Sequence, residues 1–346
     1  MVGPSDDRPA DRLSGTGVHR VSLPAANEMG RVNAWLVDDD PLTLVDSGIG
    51  APGAIEAIEA AFVAIGRRLE DLELLVLTHQ HTDHLGLAGE LARRSGAEVA
   101  ALAPLVPYLA DLPAELAADR AFMAELLRRH GATPAEVTGN DAGWSAFHAG
   151  GGPCTVTVPL LPGSAVTLRD RTLEVLSRPG HSETDVLLVD ADRRTAFGGD
   201  HLLRTTASVP VRDRPLPAGE GTRPYDPVVD DLAVTLRYAA SLRATRTVPL
   251  DLVLPGHGGP FGDPAAVADA HLVRQAEAAA RLLGRTGDGP FTAMGLARSV
   301  WPDAPAGRAQ VLVSTVLGGL GVLREQGRVE VADAGGDGRP MRFVTT

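Results

Sequence analysis

From Leu42 onward, short runs of branched apolar residues alternate with segments in which apolar positions recur every three or four residues. "LTLVDSG" is followed by "AIEAIEAAFVAIG", then by "LELLVLT", "LGLAGELARRSG" and "AEVAALA". Short apolar runs bounded by turn residues predict strands, and the 3.6-residue pattern predicts helices with one face on a core. A second set comprises "AVTL", "TLEVLS", "DVLLVD", "RTAFGGD", a helical stretch near "VVDDLAVTLRYAASLRA", and "DLVLPGHG". Two strand-rich sets, each with helices, predict an α/β fold in which two sheets pack face to face with helices outside. No fixed-period repeat is visible.

Residues 104–152 lie between the two sets and read as a helical insertion. Leu116, Met123, Leu126 and Leu127 fall at helical spacing, Gly131 can cap the end, and a second helix can start after Thr133 with Pro134 at its first position. Together with Phe122, Trp144 and Phe147, these apolar residues exceed what one amphipathic face requires. They are candidates for a substrate pocket as well as for packing. After Asp263 the pattern is helical again, and "AQVLVSTVLGGLGVLREQGRVEVADAGGDGRPMRFV" reads as a helix followed by a hairpin around "GGDG", the outline of a winged helix. Residues 1–17 are polar and rich in Pro, Gly and Asp, so a frayed tail is expected, with order beginning near Val18. The expected organisation is a tail over 1–17, a main domain over 18–263 and a small winged-helix-like C-terminal domain over 264–346.

Composition narrows the setting. With 346 residues, 44% of them hydrophobic, the chain can bury a sizeable core. No stretch approaches roughly 18 consecutive apolar residues, and the start lacks a basic segment with an apolar signal core. The expectation is a cytoplasmic protein without a membrane span. The single cysteine, Cys154, excludes an internal disulfide and fits a reducing compartment as a passive residue. A net charge of −12 disfavours nucleic acid as a partner, because that affinity comes from neutralising phosphates.

The chemistry concentrates where apolar runs end. "LLVLTHQH" ends at His79 and His81, "LEVLSRPGH" at His181, "TAFGGD" at Asp200 and "DLVLPGH" at His257. Ligands at the ends of neighbouring strands can converge on one rim of a sandwich. His79 and His81, two apart on an extended segment, face the same side, while Asp83 and His84 sit where the next helix begins. One short loop can therefore serve two metals. A lone "PGH" is an ordinary turn and a lone Asp200 an ordinary cap, but seven residues of zinc- or iron-binding type, all at strand ends, make a metal site the stronger reading. His19, His130, His148 and His271 lack a motif and are expected at the surface or in packing. His201 adjoins a candidate ligand and could support it. Arg178 and Arg204 could attract a substrate carboxylate, with surface placement favoured.

With "HQHTDH" as an H-x-H-x-D-H signature, "GH" at 180–181, "GGD" at 198–200 and "PGHG" at 255–258, the sequence resembles the metallo-β-lactamase superfamily over roughly Val18 to Asp263. The resemblance implies a four-layer αββα sandwich and two divalent cations: His79, His81 and His181 on one, Asp83, His84 and His257 on the other, and Asp200 bridging both. It also places Asp46, in "VDSG", in a supporting position. True β-lactamases with two zincs replace the His84-type ligand or lack the bridging aspartate, so penicillin-type substrates are disfavoured. The oxygen-reducing diiron branch carries Glu where this chain has His81, which disfavours a redox role. The resemblance points instead to the hydroxyacylglutathione hydrolase, lactonase and thioesterase branches, and to the nuclease-like members.

Two cations about 3.5–4 Å apart can share a water and lower its pKa toward about 7, giving a hydroxide that attacks a polarised carbonyl. Asp83 is the candidate proton carrier and Asp200 the residue that holds the metal spacing, so both are candidate catalytic residues. The leading expectation is a two-metal hydrolase of a small thioester, ester or lactone, with zinc first and iron or manganese as alternatives. Two others stay open: a phosphodiesterase or endoribonuclease of the same fold, and a nucleic-acid-binding regulator with a vestigial site. From Arg285 onward, seven arginines (Arg285, Arg298, Arg308, Arg324, Arg328, Arg339, Arg342) stand against six acids (Asp288, Asp303, Glu325, Glu330, Asp333, Asp337), poor equipment for phosphate. The expected partner is a small acyl substrate. The tail is expected to pack, to cover the cleft or to mediate a homodimer.

Overall fold

The computed structural model describes residues 13–25, 30–205, 208–216 and 224–346. Residues 1–12, most of the expected frayed tail, lie outside the described residues.

Strands β1 (Val18–Pro24), β2 (Arg31–Val37), β3 (Thr43–Val45), β4 (Leu74–Val76), β5 (Glu98–Leu102) and β6 (Val158–Leu160) form one sheet in sequence order. Strands β7 (Ala165–Thr167), β8 (Thr172–Ser177), β9 (Val186–Asp190), β10 (Thr195–Gly199) and β11 (Leu252–Pro255) form the second, in the order β11-β10-β9-β8-β7. The first sheet begins antiparallel and is parallel from β3 to β6. In the second, β10 and β11 run parallel, and β8 runs the same way because two antiparallel pairings separate it from β10. The C-terminal ends of β8, β10 and β11 therefore share one edge.

Side-chain alternation explains the layers. In the β4 run, Leu74 and Val76 enter the core between the sheets, whereas Leu75 and Leu77 face the helices outside. In β9, Val186 and Leu188 face the other sheet, while Leu187 and Val189 face outward. Strands buried on both faces need apolar residues at consecutive positions, which is why these runs do not alternate with polar residues. Helices α1 (Ala54–Ala64), α2 (Thr82–Leu85), α3 (Ala88–Ser95) and α4 (Leu105–Ala110) follow the strands of the first sheet. Ile58 and Phe62 of α1, Leu91 of α3 and Leu105 of α4 cover its outer face. Two long helices, α7 (Pro227–Arg246) and α8 (Pro264–Leu283), cover the second sheet through Tyr238, Leu242 and Ala268. Each fully buried leucine or phenylalanine of this kind contributes roughly 1.5–3 kcal/mol. The result is the expected αββα sandwich.

Helices α5 (Leu112–Arg129) and α6 (Pro134–His148) fill the segment between β5 and β6. Helix α6 starts as its sequence predicts: Thr133 accepts from the Glu136 amide, Glu136 reaches back to the Thr133 amide, and Pro134 takes the first position. The chain closes with α9 (Ala293–Val300), α10 (Ala309–Glu325) and a hairpin of β12 (Val329–Asp333) and β13 (Arg342–Thr345). Residues 306–325 are long and apolar enough to cross a membrane by length and composition, but Val313, Val316, Leu317, Leu320 and Leu323 pack into a buried cluster with α5, α8 and α9. They form a core helix. Met123, Leu126 and Leu127 of α5 belong to that cluster with Phe122 packed against it, and Leu116 packs on the core of the first sheet. Met123, Leu126 and Leu127 are buried as core residues, and Leu116 and Phe122 are partly buried against the two clusters.

Candidate metal centre

All seven sequence-predicted residues meet at one rim. His79 and His81 follow β4, His181 follows β8, Asp200 immediately follows β10 and His257 follows β11. The chain is extended at His81 (φ −72, ψ 139) and then makes the single turn of α2, which carries Asp83 and His84 back toward the histidines. Donor atoms lie within 4.8 Å of one another in three sets: His79, His81 and His181; His79, His84 and Asp200; and Asp83, His84 and His257. Asp200 stands between the groups. Its Oδ1 is 3.3 Å from His84 Nε2, and its Oδ2 is 3.3 Å from His257 Nε2 and 3.7 Å from His181 Nε2.

Each imidazole is held at the nitrogen that faces away. His84 Nδ1 donates to Asp46 Oδ2 at 2.9 Å, and His257 Nδ1 donates to the Arg31 carbonyl at 2.7 Å. His181 Nδ1 donates to the Val209 carbonyl, and His81 Nε2 faces Asp213 Oδ2 at 3.4 Å. The Thr78 hydroxyl donates to Asp46 Oδ2, so its oxygen is left to accept from His79 Nδ1 at 3.0 Å. These bonds assign the tautomers and turn the remaining nitrogens inward, the arrangement that orients metal-binding histidines.

The inward atoms lack partners. Among the described residues, His79 Nε2, Asp83 Oδ2, His84 Nε2, Asp200 Oδ1 and His257 Nε2 are buried without a hydrogen bond. Such orphans cost about 1–3 kcal/mol each in a native interior. His181 Nε2 and His81 Nδ1 face each other at 2.9 Å with their other nitrogens already engaged, so a proton or a metal ion must lie between them. The donor set of imidazole nitrogens and carboxylate oxygens fits divalent transition-metal ions.

The charges agree. Burial draws the His84 pKa down, but the carboxylates of Asp200, Asp83 and Asp46 outweigh it and raise it well above the ordinary value. His257 is pushed up to about 10 in the same way, against its own burial, chiefly by Asp200. Burial raises Asp200, yet His84 and His257 reverse this and hold its carboxyl well below the usual range. Burial also drives the His79 pKa down, reinforced by His84 and His81, and lowers His181 to about 4. A site whose carboxylates stay ionised and raise the proton affinity of His84 and His257 offers cations a strong field.

Sequence reasoning foresaw Asp46 but missed Thr78, Asp213 and His148. Helix α6 ends at His148, whose Nδ1 is hydrogen-bonded to Thr82 Oγ1 in the middle of the motif. Of the other unassigned histidines, His19 is exposed, His130 is buried against Asp231 and His271 is buried against the Leu203 carbonyl. His201 does not support a ligand: its Nε2 bonds Thr245, and its Nδ1 has no hydrogen bond among the described residues. Arg178 also bonds Thr245, and Arg204 is exposed. Cys154 is buried, and burial pushes its thiol up to about 11, which fits a passive residue.

A four-layer sandwich whose strand ends gather five histidines and two aspartates defines the class of metal-dependent hydrolases. The chain matches the metallo-beta-lactamase superfamily over residues 28–257, more than half its length, and belongs to it. It is 26% identical over 306 residues to a probable metallo-hydrolase, YqjP, of Bacillus subtilis (strain 168), covering 88% of this chain and 92% of that one. To the acyl-coenzyme A thioesterase MBLAC2 of Homo sapiens it is 29% identical over 208 residues, 55% of this chain and 65% of that protein. Among solved structures, a metallo-beta-lactamase family protein of Thermus thermophilus superposes with a TM-score of 0.75 at 24% identity, covering 95% of this chain and 99% of that one. A beta-lactamase domain protein of Burkholderia ambifaria gives 0.74 at 21% identity, covering 96% and 94%.

Proposed function

We propose that this protein is a two-metal hydrolase of small acyl substrates, with thioesters ahead of esters and lactones. The observation that carries the reading is the convergence of five unpartnered donor atoms, each histidine among them fixed from behind. His79, His81 and His181 would hold one ion, Asp83, His84 and His257 the other, and Asp200 would reach both. Two divalent cations bound there supply Lewis acidity and a water acidified toward neutral pH. Zinc suits the donor set, and iron and manganese are the alternatives.

The protein's own groups then act on the substrate. Asp83 Oδ2, 3.3 Å from His257 Nε2 and 3.9 Å from His84 Nε2, is placed to take or return a proton. Asp200 fixes the spacing between the two ligand groups. The human relative named as an acyl-coenzyme A thioesterase favours a thioester over other carbonyls. The single buried Cys154 fits a reducing compartment, and we place the enzyme in the cytoplasm.

Purified protein of measured metal content, assayed on acyl-coenzyme A thioesters, lactones and phosphodiesters, tests the reading. Thioesters are expected to be hydrolysed with kcat/KM at least about 100-fold above phosphodiesters. Preferential cleavage of phosphodiesters contradicts it.

A further inference from the structure

Helix α6 brings a group to the rim that the ligand set does not use. Thr82 is fully buried between His81 and Asp83, and among the described residues its hydroxyl has one hydrogen-bond partner, the Nδ1 of His148. A buried hydroxyl donates its proton to an available acceptor, so Nδ1 is the acceptor here and the ring carries its proton on Nε2. Among the described residues, Nε2 has no hydrogen bond. The ring is half-buried and packed by two aromatic neighbours, Trp144 at 4.0 Å and Phe147 at 4.9 Å between centroids. Its plane is thereby fixed while its donor stays unengaged.

We propose that His148 is a substrate-contacting residue, a neutral imidazole whose Nε2–H donates to the carbonyl oxygen of the acyl substrate at the metal rim. The proposal rests on the hydrolase reading above. Burial lowers the pKa of His148 to about 4, so at neutral pH the ring is an uncharged donor. A neutral imidazole polarises a carbonyl without opposing the field of the cations, as an imidazolium would. Trp144 and Phe147, which the insertion contributes beside it, supply an apolar wall for the acyl group.

The test has two readouts. In 15N spectra of histidine-labelled protein at neutral pH, the His148 signals, identified by their absence in His148→Phe, should show a protonated Nε2 and an unprotonated Nδ1. In thioester hydrolysis, His148→Phe keeps an aromatic ring against Trp144 but removes the donor, and should lower kcat/KM about 100-fold with metal content unchanged. His148→Gln, whose amide nitrogen lies near the position of Nε2 and restores a neutral N–H there, should recover about tenfold of that loss. A protonated Nδ1, a His148→Phe variant active within about threefold of wild type, or a loss that follows falling metal content each overturns the proposal. A wild-type protein inert on every carbonyl substrate instead overturns the hydrolase reading beneath it.

Discussion

Asp46 illustrates how much of the centre depends on side chains that face no metal position. It adopts the left-handed conformation (φ 63) at the end of β3, and its carboxylate accepts from the Thr78 amide, the Thr78 hydroxyl and His84 Nδ1. One residue thus orients His84 directly and His79 through Thr78. Asp46→Ala is expected to weaken metal affinity about 10–100-fold while the protein stays folded, as measured by metal-competition titration alongside circular dichroism. Unchanged affinity would remove Asp46 from the centre. At this scale the seven inward residues were legible because five close apolar runs and four fall within "HQHTDH". Asp213 and His148 were not, because their roles exist only through contacts 132 and 66 residues away along the chain. Nothing local in "VRDRP" or "SAFHAG" records those contacts.

Among the elements, strands and helix starts were readable because their physics is local: uninterrupted apolar runs for β4 and β9, a proline at the first position for α6. What an amphipathic face packs against was not readable. The apolar residues of α5 suited a substrate pocket and a core equally, and the partner that decided for the core comes from α8, α9 and α10, far along the chain. The same junction contains a buried ionic network. Asp231 of α7 accepts from Arg212, Arg129, His130 and Tyr225, and Arg212 also lies over the rings of Phe122 and Tyr225. Removing the one carboxylate leaves the buried Arg212 with only the more distant Glu183 at 3.7 Å and takes the buried His130 off its partner, so Asp231→Ala should cost about 3 kcal/mol in chemical denaturation. Burial raises the Asp231 pKa, but the bond from His130 and its other partners bring it below the ordinary value. Its contribution is therefore present above the unfolded pKa of about 4 and is lost as pH falls through the lower folded value. A loss under about 1 kcal/mol would show that solvent screens the network.

On the scale of the whole molecule, the C-terminal helices and hairpin share one buried cluster with α5, α7 and α8, including Met123, Leu127, Leu232, Leu282, Leu317 and Phe343. We propose that this C-terminal segment serves as structure and not as a nucleic-acid reader. Truncation at Gly284 should therefore expose that cluster and abolish soluble expression or lower the thermal midpoint sharply. A soluble truncated protein with an unchanged midpoint would make the tail an independent attachment. The cluster also joins the tail to α5, the helix that precedes the one carrying His148, while the sandwich holds the other side of the rim.

The central claim, that the rim is built for two metal ions, is tested most directly by elemental analysis of protein purified under metal-replete conditions. The geometry predicts about two ions per chain, falling to about one when Asp83, His84 or His257 is replaced, since seven donor residues exceed what a single four-coordinate ion uses. A stoichiometry near one in the wild type, unchanged by those replacements, would contradict the two-metal account.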